Sequence, residues 1–157
     1  MFFRAVLAFL ALPAVVGGLV PWLLLDSDSW KVRGTLLGWP LLVFGAFILM
    51  WCVRDFYKIG KGTLAPWDPP SRLVVAGPYR YVRNPMITGV ILIIIAESLI
   101  FRSLALGEWA AGFLLLNAIH FPLIEEPQLE RRFGDDYRRY KRHVGRFIPR
   151  IRPWNGA

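Results

Sequence analysis

Residues 77–86, GPYRYVRNPM, run directly into the apolar stretch ITGVILIII at residues 87–95. Two prolines, Pro78 and Pro85, bracket Tyr79, Arg80, Tyr81, Arg83 and Asn84. Proline suits the first turn of a helix and is costly inside one, so Pro85 reads as a helix start and the residues before it as a turn. A polar, aromatic turn that feeds an apolar helix fits a chain entering a bilayer beside a site built at its surface.

Composition agrees with that reading. The chain has 157 residues, 55% of them hydrophobic, 15% aromatic, and a mean hydropathy of +0.44, well above an ordinary soluble domain. That length allows one domain, residues 1–157. Seven Trp suit helix ends held at headgroup level. The single Cys52 excludes an intrachain disulfide framework and a cysteine-based zinc cluster, and two isolated His do not make a metal site, so no metal is expected. A net charge of +8 would suggest nucleic acid in a soluble protein; in this background it reads as contact with anionic lipid, with no nucleic-acid partner.

Four apolar segments follow, at about 2–25, 34–53, 85–101 and 109–124. A helix needs roughly 20 apolar residues, about 17 at the least, to cross the hydrocarbon layer, so the first two qualify and the last two are marginal. The first has a rival reading as a signal peptide, because Arg4 precedes an apolar stretch ending in small residues; its hydrophobicity continues through LVPWLLL at 19–25, beyond an ordinary cleavage region. The expected fold is therefore an all-α integral membrane protein of four transmembrane helices, with a cytosolic loop at 54–84 and an amphipathic tail at 125–150 forming a cofactor cap.

Charge placement sets the orientation. The loop carries Arg54, Lys58, Lys61, Arg72, Arg80 and Arg83, and nine further cations lie between Arg131 and Arg152; the other two connections supply only Lys31, Arg33 and Arg102. The positive-inside rule puts loop and tail together in the cytoplasm, with both termini. Within the loop, Gly60, Gly62, Pro66, Pro69, Pro70, Gly77 and Pro78 set turns, and RLVV at 72–75 reads as a short extended piece. GKGT at 60–63 lacks the first glycine and the Ser or Thr directly after Lys61 that a phosphate-binding loop requires. In the tail, Leu129, Phe133, Tyr137, Tyr140 and Val144 recur at helical spacing, and Arg131 with Asp135 and Arg132 with Asp136 are spaced as i,i+4 ion pairs. A basic helix lying on headgroups explains the same pattern.

Polar groups inside apolar segments are functional candidates because they are costly there. Glu97 falls in the third segment, Asn117 and His120 in the fourth. Each has a structural alternative: a pairing across helices for Glu97, a bond to a backbone carbonyl for His120, interhelical glue for Asn117. Asn117, Phe121 and Glu125 follow at i,i+4, a track leading to Glu125 and Glu126 where the fourth helix leaves the membrane. That end is the side on which GPYRYVRNP lies.

LVVAGPYRYVRNPM at 73–86, followed one helical hairpin later by EEPQLERRFGDDYRRYKRHVGRFIPR at 125–150, resembles the isoprenylcysteine carboxyl methyltransferase family and its wider relatives, the phospholipid methyltransferases. The resemblance covers about residues 60–153. It implies an integral membrane enzyme that uses S-adenosylmethionine without a Rossmann domain. Its cofactor-binding stretch corresponds to Arg72, Leu73, Val74, Tyr79, Arg83, Asn84, Pro85, Met86 and Ile87, and its glutamate pair to Glu125 and Glu126. Asn84 stands where the eukaryotic enzymes have His, and Ile87 where Tyr is usual.

The residues themselves suit that cofactor. Glu125 offers a carboxylate to its ammonium, Arg83 or the amides near Gly77 offer donors to its carboxylate, and Tyr79, Met86 and the tail aromatics offer cover for adenosine. A carboxylate acceptor needs no base, whereas an amine needs one, for which Glu126 and His120 are the candidates. The acceptor is expected to be a lipophilic small molecule or lipid-linked group. An NADPH-dependent membrane reductase, resembling the steroid reductases, and a non-catalytic scaffold are the alternatives, and pairing of two copies stays open.

Overall fold

The computed structural model describes residues 13–25, 34–60 and 71–156. Five helices account for most of them: α1 Val15–Leu24, α2 Gly38–Gly60, α3 Pro85–Phe101, α4 Leu104–Phe133 and α5 Asp135–His143. No strand occurs among the described residues. α2 and α4 are long and apolar enough to cross a membrane, with mean hydropathies of 1.5 and 1.4; α1 and α3 are shorter apolar helices.

α2 and α3 run antiparallel because small residues line their shared face. Gly38 and Gly45 on α2 and Gly89 and Ala96 on α3 are each spaced by seven, so all stay on one stripe over two turns. A Cβ on Gly45 would stand 2.9 Å from the carbonyl oxygen of Gly89, and one on Gly38 would stand 2.9 Å from that of Ala96. At the far end the Gly34 and Thr35 amides bond the Ile100 and Leu99 carbonyls. In lipid, where apolar surface is not driven from water, such backbone approach supplies the packing energy. Gly45→Ala is expected to cost about 1–3 kcal/mol relative to Gly112→Ala, through overpacking. Gly112 has no heavy atom within 4 Å of its would-be Cβ, so it carries only the propensity gain. Thermal unfolding of both variants checks it, and equal midpoints would sink it.

Arg102, at φ +51°, and Ser103 turn the chain from α3 into α4, and the Ser103 hydroxyl accepts the Leu106 amide as an N-cap. Leu49, Val90, Ile94, Ala110 and Phe113 then form a core among α2, α3 and α4. α1 joins through the Trp109 indole, which donates to the Val16 carbonyl at 3.0 Å.

The expected boundaries hold for 85–101 and shift elsewhere. The expected helix at 34–53 begins at Gly38, since residues 34–37 are tied as a turn to the end of α3, and it continues to Gly60 in a π-helical turn, shortening the loop expected at 54–84. The expected helix at 109–124 starts five residues earlier, at the Ser103 cap, and continues to Phe133. Glu, Gln and Arg are good helix formers, so loss of hydropathy after Ile124 does not end the backbone ladder. The tail expected at 125–150 is broken at Gly134, φ +56°, which takes residues 131 and 135 off a common helix; Asp135 pairs instead with Arg138 at 2.9 Å. Of the expected 2–25 helix, residues 2–12 lie outside the described residues, as do Lys31, Arg33 and most of GKGT.

Candidate functional site

Residues 71–84 and the tail meet at the end of the bundle where α3 begins. The Arg83 and Asn84 amides bond the Gly145 and Arg146 carbonyls, the Arg150 amide bonds the Tyr81 carbonyl, and the Trp154 amide bonds that of Arg80. Side chains extend this join. The Tyr140 hydroxyl donates to the Tyr79 carbonyl at 2.6 Å, and Arg80 Nε donates to the Trp154 carbonyl at 3.0 Å. The 72–75 piece alternates its faces as an extended chain does: Leu73 and Val75 pack on Tyr137, Tyr140 and Val144, while Val74 packs beside Cys52 and Tyr79. Arg72 is exposed.

Glu126 is the electrostatic centre of the join. Its side chain is 2% exposed and accepts from Arg83 Nη1 at 2.9 Å, Arg146 Nε at 2.6 Å and Lys141 Nζ at 2.9 Å. Arg83, 7% exposed, also donates to the Val144 carbonyl and the Tyr137 hydroxyl. One carboxylate thus binds the turn before α3 to α5 and to the chain beyond it. Its partner Lys141 reaches Glu130 as well, and the hydrogen bonds to Glu130 and Glu126 hold its pKa above the ordinary range. Burial pushes the Tyr79 and Tyr140 phenols above theirs, so both stay protonated at neutral pH.

Pro122 explains how Glu125 and Glu126 come to differ. Inside α4 its ring removes a backbone donor and crowds the carbonyl four residues back, and the chain answers with a π-helical turn over Phe121–Glu125. Asn117 and Phe121 face the bundle, Asn117 bonding the Phe113 carbonyl at 2.8 Å. Glu125 is half-buried, with an electrostatic contact to Tyr79, and makes no ion pair among the described residues. His120 is not brought to this cluster. It is exposed on the outer face of α4 with Leu116, Ile119 and Leu123, whereas Glu126, the other candidate base, turns inward. Glu97 is also remote, twelve residues along α3 from Pro85, roughly 18 Å at helical rise.

Three buried polar atoms in this region have no hydrogen-bond partner among the described residues: Arg150 Nη1 in the tail and one atom each on Asn84 and Asp55. Asn84 is 4% exposed with an unpartnered Nδ2, and Asp55 is 6% exposed with an unpartnered Oδ2. Asp55 was not among the sequence candidates. Flanked by Arg54 and Lys58 it reads as a surface charge at a helix end, but α2 continues past it and Gly77 closes over it. A Cβ on Gly77 would meet Asp55 Oδ2 at 2.3 Å and Trp51 Nε1 at 2.5 Å. Pro85 and Met86 open α3, Met86 touching the clusters around Ile94 and Cys52, while Ile87 packs into the former alone. Above the Gly77 turn lies a cleft of about 350 Å³ walled by Val75, Ala76, Arg80, Trp154 and Asn155.

The chain matches the phospholipid methyltransferase family over residues 34–136. It is 26% identical over 145 residues to the methanethiol S-methyltransferase of Pseudomonas deceptionensis, covering 83% of this chain and 53% of that protein. The chain therefore spans about half the length of that relative. No solved structure matches it.

Proposed function

Since the chain belongs to the phospholipid methyltransferase family, a family of membrane methyltransferases, we propose that it transfers a methyl group from S-adenosylmethionine to a lipophilic acceptor at the cytosolic membrane surface. In this reading residues 1–157 act as one domain, four helices cross the bilayer, and the 71–84 segment and the tail form the cytosolic cap, with both chain ends on that side. The distribution of cations supports that orientation. The apolar outer faces, among them Leu115, Leu116, Ile119 and Leu123 on α4, support burial in lipid.

The observation that carries the reading is two buried polar atoms, one under the Gly77 turn and one at the start of α3, that have no hydrogen-bond partner among the described residues. A zwitterionic amino-acid group needs one donor and one acceptor, and Asn84 Nδ2 and Asp55 Oδ2 offer them. Glu125 is a second carboxylate for the ammonium. Tyr79 and Met86 give apolar cover, Arg72 the rim, and Leu73, Val74, Pro85 and Ile87 the wall; Arg83 and Glu126 fix the frame. S-adenosylmethionine, when bound, supplies an electrophilic methyl on a sulfonium. The protein's task is then alignment and exclusion of water, which can provide most of the rate of an in-line displacement. A thiolate or carboxylate acceptor needs no base. For an amine, Glu125 is better placed than His120, and Glu126 is already committed to three cations. The acceptor enters sideways from the bilayer; a small apolar thiol, as in the relative's name, belongs to this class.

Neither the family match nor the relative favours the reductase or scaffold alternatives. Calorimetry of detergent-purified protein with S-adenosylhomocysteine and with NADPH tests the choice. Binding of the first alone, with a dissociation constant of about 1 μM to 1 mM and weakened by Glu125→Gln, is expected. Binding of NADPH alone would overturn the proposal.

A further inference from the structure

The segment just beyond α5 carries two isoleucines that the fold leaves outside. Ile148 is 82% exposed and Ile151 98% exposed, the latter the most exposed of the protein's large apolar side chains among the described residues. They do not sit on a dangling end. The backbone around them is pinned before, between and after, by the Arg83 and Asn84 amides to the Gly145 and Arg146 carbonyls, by the Arg150 amide to the Tyr81 carbonyl and by the Trp154 amide to the Arg80 carbonyl. Pro149 and Pro153 stiffen the strap further by fixing φ.

The pinning also fixes its height. Residues 81–84 are the last before Pro85, where α3 enters its apolar run, so the strap lies at the edge of the layer that α3 crosses. Cations stand among the isoleucines. Arg152 is exposed beside Ile151, while Arg150 is partly buried, its Nη1 enclosed and without a hydrogen-bond partner among the described residues. Exposed apolar side chains beside an exposed guanidinium group at a membrane edge match the acyl boundary and phosphate layer of an anionic leaflet.

We propose that residues 146–152 form an interfacial anchor for anionic lipid, with Ile148 and Ile151 entering the acyl boundary and Arg152 meeting lipid phosphates. The anchor presses the cap onto the membrane through the same hydrogen bonds that join it to the 81–84 turn. This rests on the reading that the helices lie in a bilayer.

The test uses the whole chain in nanodiscs, with Ile148→Cys, Ile151→Cys and, as reference, Leu115→Cys. Cys52 is the sole native cysteine and is fully buried, so each introduced thiol takes an environment-sensitive fluorophore selectively. Nanodiscs are made with zwitterionic lipid alone or with added phosphatidylglycerol, each also carrying a chain-borne spin-label quencher. The expected result is blue-shifted, quenched emission at all three positions, with quenching at 148 and 151 rising when anionic lipid is present and falling back when Arg152 is replaced by Gln. Lipid-like emission at 115 with water-like emission at 148 and 151 in both lipids would overturn the anchor and favour a protein partner for the strap. Equal quenching in both lipids would overturn its anionic selectivity. Water-like emission at 115 as well would overturn the bilayer reading beneath it.

Discussion

Glu126→Gln is expected to lower stability by about 3–5 kcal/mol, the usual cost of removing one partner of a buried ion pair. Glutamine keeps the volume, but its amide accepts at one end only and turns two donors toward cations. The partners differ in how they can respond. Lys141, 38% exposed, keeps Glu130, and Arg146, 31% exposed, can swing to water. Arg83, 7% exposed, has no such route and would stay charged between the 77–84 turn and the tail. Glu130→Gln is the comparison, because its pair with Lys141 is partly solvated and worth less than about 1 kcal/mol. Thermal unfolding in detergent should separate the two variants widely. S-adenosylhomocysteine binding should fall with Glu126→Gln even where the protein remains folded, since the 77–84 turn loses its tie to the tail. Adding Arg83→Gln should recover part of the stability, a coupling that a double-mutant cycle reads directly. Equal midpoints for Glu126→Gln and Glu130→Gln would show that the knot does not hold loop to tail.

Much of that join was legible in the sequence. GPYRYVRNPM and the Glu125, Glu126 pair were read as meeting at one membrane face, because an antiparallel hairpin of two helices must return to the side it left. The segment expected at about 85–101 coincides with α3 because its start signal is local, a proline in the first turn, and its apolar run stops at Arg102, where the structure turns left-handed. The longer helices were not, because hydropathy reports where lipid stops rather than where the backbone ladder stops. The apolar run of α4 ends at Ile124, yet its helix continues to Phe133. The roles of individual side chains were less legible still. Arg83 reads as a cofactor ligand and Glu126 as a candidate base, and only their mutual distance shows that they spend their charges on one another. His120 looked adjacent to the polar track, but exposure on the outer face separates it. Asp55 was hidden by its cationic neighbours, since its burial depends on a turn more than twenty residues away.

That turn carries the second large effect. Gly77→Ala is expected to cost about 2–5 kcal/mol, the sum of backbone strain at positive φ and overpacking. Gly77 sits at φ +49°, and its missing Cβ would stand 2.3 Å from Asp55 Oδ2 and 2.5 Å from Trp51 Nε1. Neither atom can yield cheaply. Asp55 and Trp51 belong to α2, and the other side of the turn is held by Tyr79, whose carbonyl accepts from Tyr140. Gly134→Ala separates the two contributions. Gly134 also has positive φ, at +56°, yet nothing lies within 4 Å of its would-be Cβ, so only backbone strain remains. The difference between the variants, about 1–3 kcal/mol by thermal unfolding, is the contact with α2. Ligand affinity should divide them further: Gly77→Ala displaces the wall between the cleft and Asp55, whereas Gly134→Ala alters a joint outside it. If both variants lose the same stability and retain the same affinity for S-adenosylhomocysteine, the close approach of Gly77 to Asp55 has no part in shaping the site.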